Sequence, residues 1–328
     1  MKLPAFPLCR LFFLTAFLTL LLFPVAFATS SPASSPKELL AQGRIDEAIQ
    51  VLENQNARSP DAESYNLLCR AHFMLEEWDR GIPFCERART LDPKSSLYEL
   101  WLGRIYGEKA DRAGFMSAAG LAKKVRTAFE RAVELDPSNW QARTDLAEFY
   151  VEAPGIVGGG KDKARQQADA LMPLNPARSH WVAGRIAEKN KDAANAELEY
   201  RAAVAVSHSA VREWVDLAIF YRHANRLHDM EQALRHLESA PLDRPESLMD
   251  GASLLLRTNR DPAFAIRLLR QYLASPVEEG PAFKAHDLLG QLLEKQGDPK
   301  AAAEEYKAAL SLAHSYSRAQ EDLKRLSH

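Results

Sequence analysis

Apolar residues recur along this chain at intervals of three and four, in phrases such as "YNLLCRAHF", "LWLGRIYG", "RTDLAEFYV" and "HWVAGRIAEK". That period lays apolar side chains along one face of a helix. Polar breaks built on Asp-Pro or Asn-Pro separate the phrases: "CERARTLDP" ends at Pro93, "FERAVELDP" at Pro137 and "ADALMPLNP" at Pro176. The pattern predicts an all-α chain of successive helical hairpins. The most regular hairpin is "FKAHDLLGQLLEKQGDPKAAAEEYKAALSLA", where Gly297-Asp298-Pro299 makes the turn between two helices.

The positions within these hairpins resemble the tetratricopeptide repeat, a helix–turn–helix unit of about 34 residues. The unit starting at Phe283 supplies Leu289, Gly290, Ala302, Tyr306 and Ala309 at the family's positions 7, 8, 20, 24 and 27. The unit from Ala177 supplies Ala183, Gly184, Ala196, Tyr200 and Ala203, and the unit from Ala62 supplies Tyr65, Leu68, Cys69, Cys85, Ala88 and Pro93. Val211 opens a unit with Trp214, Leu217, Ala218 and Tyr221, and Pro245 opens a degenerate one with Ala252, Leu255 and Leu268. A first unit survives mainly as its second helix, "DEAIQVLENQ". The resemblance implies a right-handed superhelical solenoid of about eight repeats over 37–316, closed by a polar capping helix over 317–328. Small residues at positions 8 and 20 let the paired helices approach, and the aromatics fill the space between them. Gly290→Leu or Ala302→Leu is therefore expected to overpack, at a cost of roughly 1–3 kcal/mol. Gly290→Ala is expected to be tolerated, because glycine is a poor helix former.

Two units are longer than the repeat. Between Leu102-Gly103-Tyr106 and Phe129-Ala132-Pro137 about ten residues are surplus, within "GEKADRAGFMSAAGLAKK" at 107–124. Between Leu146-Ala147-Tyr150 and Ala164 the surplus is "APGIVGGG" at 153–160. Both are read as enlarged turns. The second contains Gly155, Gly160 and Lys161 at the spacing of a phosphate-binding loop. Such a loop follows a strand and ends in Ser or Thr. Here a helical phrase precedes it and Asp162 follows, so the segment reads as a turn. Adjacent insertions in a solenoid emerge on one edge, often a binding face. Phe115, Met116, Ile156 and Val157 are therefore expected to form one apolar patch, either binding a partner or packing one insertion on the other.

Composition narrows the remaining chemistry. With 42 basic and 44 acidic side chains the formal charge is −2, which gives no case for nucleic-acid binding. His223, His228 and His236 lack the spacing that sets two metal ligands on one helical turn, and "SHS" at 207–209 lacks a nucleophile's setting. No catalytic residue, metal site or cofactor is expected. Cys69 and Cys85, at positions 8 and 24 of one unit, lie across from each other in a helical pair. They either form a disulfide or serve as two small buried hydrophobes.

The N-terminus reads as an export signal: Lys2 and Arg10, then the apolar run "LFFLTAFLTLLLF" at 11–23, then "AFA" at 26–28. Cleavage is expected after Ala28, with a flexible tether over 29–36 and a periplasmic destination. The alternative is an uncleaved anchor. No later segment is long and apolar enough to span a bilayer.

In this resemblance the first helices line the concave face, with positions 2, 5, 9 and 12 pointing into it. Those positions hold Asn66, Arg70, Leu100, Arg104, Thr144, Glu148, Trp181, Arg185, Val215, Ile219, Arg222, Met249 and Leu256. Arg recurs at position 9, in Arg70, Arg104 and Arg185. Its planar fork matches a carboxylate. The Lys/Asn/Arg clamp with which some members hold chaperone tails is not reproduced. The expected function is protein binding or scaffolding, with a protein or peptide partner at Asn66, Arg70, Leu100, Arg104, Trp181, Arg185 and Arg222. The alternatives are an accessory subunit of an envelope assembly or secretion complex, and an enzyme built on the solenoid.

Overall fold

The computed structural model describes residues 34–275 and 280–326, with the backbone alone at Phe115 and Met116. The export segment 1–28, its cleavage point and the first part of the tether lie outside the described residues. Among the described residues, regular structure consists of seventeen α-helices and two short 3-10 turns. Eight antiparallel pairs follow one another: α1 (Pro36–Ala41) with α2 (Ile45–Arg58), α3 (Ala62–Met74) with α4 (Trp78–Leu91), α5 (Ser96–Arg112) with α6 (Phe115–Leu135), and α7 (Trp140–Glu152) with α8 (Lys161–Leu171). Then come α9 (Pro176–Lys189) with α10 (Ala193–Val206), α11 (Val211–His223) with α12 (Leu227–Arg235), α13 (Glu246–Thr258) with α14 (Pro262–Ala274), and α15 (Ala282–Lys295) with α16 (Pro299–Leu312). A single helix, α17 (Ser317–Leu326), ends the described chain. No helix among the described residues is long and apolar enough to cross a membrane.

Local chemistry sets where these helices start and turn. Asp298, Asp261 and Asn175 each accept the N–H of the residue three further on, at 2.9, 3.0 and 3.1 Å, and each precedes a proline in the first helical turn. The side chain satisfies a donor left over at the helix start, and proline there has no N–H to satisfy. In seven of the eight pairs the turn uses a residue with positive φ, and only the Ala113–Gly114 link does not. Gly43 and Gly297 fill that place at 73° and 83°, while Asn225 and Asn259 tolerate it at 55° and 52°.

The packing of each pair turns on positions 8 and 24. A Cβ on Gly103, Gly184 or Gly290 would lie 2.4, 3.0 or 2.5 Å from the ring of Phe129, Tyr200 or Tyr306 respectively. The expectation that Gly290→Ala is tolerated is thus corrected: the ring of Tyr306 occupies the space a methyl would need. In the second pair the same two positions hold Cys69 and Cys85. Both are fully buried, and they are joined as a disulfide with Cα atoms 5.1 Å apart.

The surplus residues at 107–124 do not form an enlarged turn. They lengthen both helices, giving α5 17 residues and α6 21, joined by Ala113 and Gly114 alone. Five of these eighteen residues are Ala and three are Lys, both good helix formers, against three glycines. The second surplus does leave the α-helix: residues 153–160 enclose the 3-10 turn Gly155–Val157.

First helices touch one another along the solenoid, α3 with α5, α5 with α7, α7 with α9, α11 with α13 and α13 with α15, so they line one face. The chain also meets itself. Phe283, Ala313 and Tyr316, near the C-terminal end, share a buried apolar cluster with Leu39, Ile45 and Leu68 near the N-terminal end.

Candidate partner-binding groove

Along the face lined by first helices the arginines do not stand alone. The guanidinium carbons of Arg70 and Arg104 lie 5.0 and 4.9 Å from the ring centre of Trp101. Those of Arg178 and Arg185 lie 5.1 and 5.7 Å from that of Trp181. Each stack joins two cations to one indole, whose ring quadrupole attracts positive charge. Acids from neighbouring helices hold the outer arms. Arg104 Nε donates to Asp145 Oδ2 at 2.6 Å, and Arg185 Nη2 donates to Glu152 Oε1 at 2.7 Å. Deeper in the wall, Arg178 Nη2 donates to Glu213 Oε1 at 2.9 Å and to Asp216 Oδ2 at 2.6 Å, tying α9 to α11. Burial opposes the Arg178 charge, but Asp216 and Glu213 more than compensate and hold it firmly protonated.

The expected row of contact residues splits by burial. Asn66 and Leu100 are each only 2% exposed, and Thr144 and Val215 are likewise buried. The reading of position 5 as facing the groove is corrected for these residues. Adjacent first helices lie close enough to bury that position between them. Arg70 and Trp181 are also buried, so the edges of the stacks that reach solvent are Arg104 and Arg185. Arg222 is half-buried, and no acid among the described residues lies within ion-pair distance of it. The same holds for Arg212, whose guanidinium carbon lies 5.7 Å from the ring centre of Trp140.

Crowding perturbs the charges on this face. Burial, followed by repulsion from Arg104, lowers the Arg70 pKa to about 10. Burial, followed by Arg178, lowers that of Arg212 to about 10, with Asp216 acting against the shift. Glu148 keeps 47% of its side-chain surface, yet its carboxyl is lifted well above the usual range. The walls around it restrict its hydration, Arg185 opposes the lift, and Asp145 and Asp216 reinforce it. The face therefore carries both signs of charge, with its arginines largely pre-positioned.

Trp101, Asp145, Arg178 and Arg212 were not among the contact residues expected from sequence. Arg178 occupies position 2 of its unit, a position the repeat assigns to this face, so that signal was present. The pairing of Arg178 with Glu213 and Asp216 spans two units and has no sequence signature.

The Gly-Lys segment is a brace between helices. Gly158 has φ 100°, Gly160 precedes α8, and Lys161 Nζ donates to Asn190 Oδ1 at 2.5 Å. Arg126 Nη1 of α6 donates to the carbonyl of Val157 at 3.2 Å, fastening this turn to the lengthened helix beside it. Val157 is buried there, whereas Ile156 is 90% exposed. The side chains of Phe115 and Met116 lie outside the described residues, and so does any apolar patch they would share with Ile156 and Val157.

A family model described as tetratricopeptide repeat matches residues 37–96 and 251–324. Yeast Tom70 resembles the solenoid with a TM-score of 0.52 at 15% identity, over 92% of this chain and 65% of that one. A thermophilic TPR protein of Thermus thermophilus aligns at 16% identity and TM-score 0.47, over 56% of this chain and 94% of its own. A tetratricopeptide repeat protein of Parabacteroides merdae aligns at 16% identity and TM-score 0.39, over 87% and 99%. No curated protein matches the chain significantly.

Proposed function

Because the chain is a tetratricopeptide-repeat protein, we propose that it is a non-enzymatic scaffold working outside the cytoplasm, and that it holds an extended segment of another exported protein against its first helices. The observation that carries this reading is the pair of guanidinium–indole stacks whose outer arginines are already braced by Asp145 and Glu152. Side chains held in place before binding lose little freedom when a partner arrives. Arg and Trp are also the residues that dominate interface energetics. Arg212 and Arg222 offer guanidinium donors to carboxylates on the segment. Asp145 and Glu152 stand among the arginines, so the segment carries mixed rather than uniformly acidic charge.

Arg104, Arg185 and Arg222 changed together to Ala should keep native helicity and bind a captured partner at least about tenfold more weakly, a loss of ~1.4 kcal/mol. Wild-type binding should weaken as salt rises. Equal capture by the folded triple variant and the wild type would show that this face is not the site. The export part of the proposal rests on the charged start, short apolar run and A-x-A site of residues 1–28. The mature protein should begin at Thr29, and a membrane-bound chain starting at Met1 would refute cleavage after Ala28 in favour of the uncleaved anchor.

A further inference from the structure

The two ends of the solenoid meet in a seam that joins elements far apart in sequence through apolar and ionic contacts. Its apolar part is a buried cluster shared by the two ends. Phe283 and Tyr316 pack edge to face with ring centres 4.8 Å apart, and with Ala313 they close on Leu39, Ile45 and Leu68. The turn at Gly43 sits directly on the start of α15, where a Cβ on Gly43 would lie 2.7 Å from Ala282 Cβ.

The polar part converges on Glu76, in the turn between α3 and α4. Lys284 Nζ of α15 donates to Glu76 Oε1 at 2.9 Å, and Arg318 Nη2 of α17 donates to Glu76 Oε2 at 3.0 Å. Arg112, at the end of α5, lies 3.7 Å from the same carboxylate. A second bond joins the ends where the His314 N–H donates to Asp46 Oδ2 at 2.7 Å. One carboxylate therefore gathers cations from three helices, two of them more than 200 residues away in sequence. Within the repeats, ion pairs such as Arg178 with Glu213 and Asp216 add to a continuous apolar core. Glu76 and Lys284 keep about a quarter of their side-chain surface in water and Arg318 about half, so solvent and salt reach this clasp while they cannot reach the core.

We propose that the seam is a latch. Helices α15 to α17 release from α1 to α3 as a unit, with Glu76 as the clasp, and this opening admits a partner segment to the first helices. The last clause rests on the binding role proposed above. The latch itself does not, because it can be read without any partner.

Spin labels at Asn54→Cys on α2 and Lys307→Cys on α16, with small-angle scattering in parallel, measure the opening in the chain lacking residues 1–28. Glu76→Arg places a cation among Lys284, Arg318 and Arg112. It should lengthen the label distance and raise the radius of gyration while helicity stays native. Adding Lys284→Glu and Arg318→Glu to that variant should restore the closed values. Raising salt to about 1 M should shift the wild type in the same direction, since the Debye length falls to about 3 Å. The salt series also serves if Glu76→Arg fails to fold. A label distance unchanged by salt, and by the charge reversal in a folded variant, would overturn the latch. Asp46→Cys with His314→Cys locks the seam when oxidised, and capture of the partner should then be lost and return on reduction. Undiminished capture by the locked protein would overturn the gating role and leave the groove intact. Equal capture by the arginine triple variant would overturn the groove and leave the latch intact.

Discussion

The second and eighth helical pairs meet the same demand with different chemistry. In each, positions 8 and 24 lie 16 residues apart and face each other at the closest approach of the helices. The second pair fills them with two small side chains and a covalent bond, Cys69 to Cys85. The eighth leaves Gly290 bare and lays the ring of Tyr306 over it, with the hydroxyl donating to Glu294 Oε2 at 3.1 Å. Position 5 differs as well. It holds the neutral amide of Asn66 in one pair and the carboxylate of Asp287 in the other, both buried. The repeat prescribes how close two helices come and which positions are hidden, and it leaves open whether a bond, a ring or a polar group occupies them.

The sharpest way to test that statement is to make the eighth pair more like the second at position 5. Burial raises the Asp287 carboxyl to about 7, Asp322 and Glu76 push in the same direction, and Arg318 and the Gln291 amide oppose. The unfolded chain releases this proton near 3.8. Between those values the native state binds more protons, so the stability associated with this group is full below about pH 4 and lost as pH rises to about 7. The ceiling is about 4 kcal/mol, and one acceptor oxygen of Asp287 has no hydrogen-bond partner. Asp287→Asn should therefore raise the urea midpoint at pH 8 and leave it unchanged at pH 4. Equal effects at both would show that the carboxylate is not held neutral.

Next in size, replacing Cys69 and Cys85 together by Ala removes the cross-link of the second pair. A loop of this length is worth ~3 kcal/mol on the chain-entropy model, and the cavity left by two sulfurs adds to the loss. The wild type under strong reductant should fall by a similar amount, and an unchanged melting curve for the double variant would show that packing alone holds that pair. Gly290→Leu should cost about 2–3 kcal/mol, because the ring of the fully buried Tyr306 lies over Gly290. An unchanged midpoint would mean that Gly290 does not sit at the crossing. The smallest effect expected is that of Gly290→Ala. A methyl 2.5 Å from the Tyr306 ring should cost more than the ~1 kcal/mol that helix propensity returns, leaving a slight net loss. A net gain would show that the ring shifts freely.

Much of the architecture can be read along the chain because it is local. The apolar period marks each helix, Asp298-Pro299 and Asn175-Pro176 start two of them, and Gly184 followed by Tyr200 marks one crossing of a pair. Each signal acts within a few turns of helix, so its partner lies nearby in sequence. The groove was legible only in outline. Position 9 pointed to Arg104 and Arg185, but position 5 belongs to the wall, because neighbouring first helices bury it in Asn66 and Leu100.

What tertiary structure alone decided are the contacts that depend on how each pair is rotated against the next. Arg178 finds Glu213 and Asp216 only because α9 lies beside α11 at one angle. Lys284 and Arg318 find Glu76 only because those rotations, summed over the intervening repeats, bring the last helices back to the first. The residues at 107–124 show the limit from the other side: the period registers a surplus, and helix propensity together with packing of α5 along α6 makes it helix rather than loop. A small angle at each interface is set by many shallow contacts, none with a sequence signature, and its accumulation over seven interfaces places the ends of the chain.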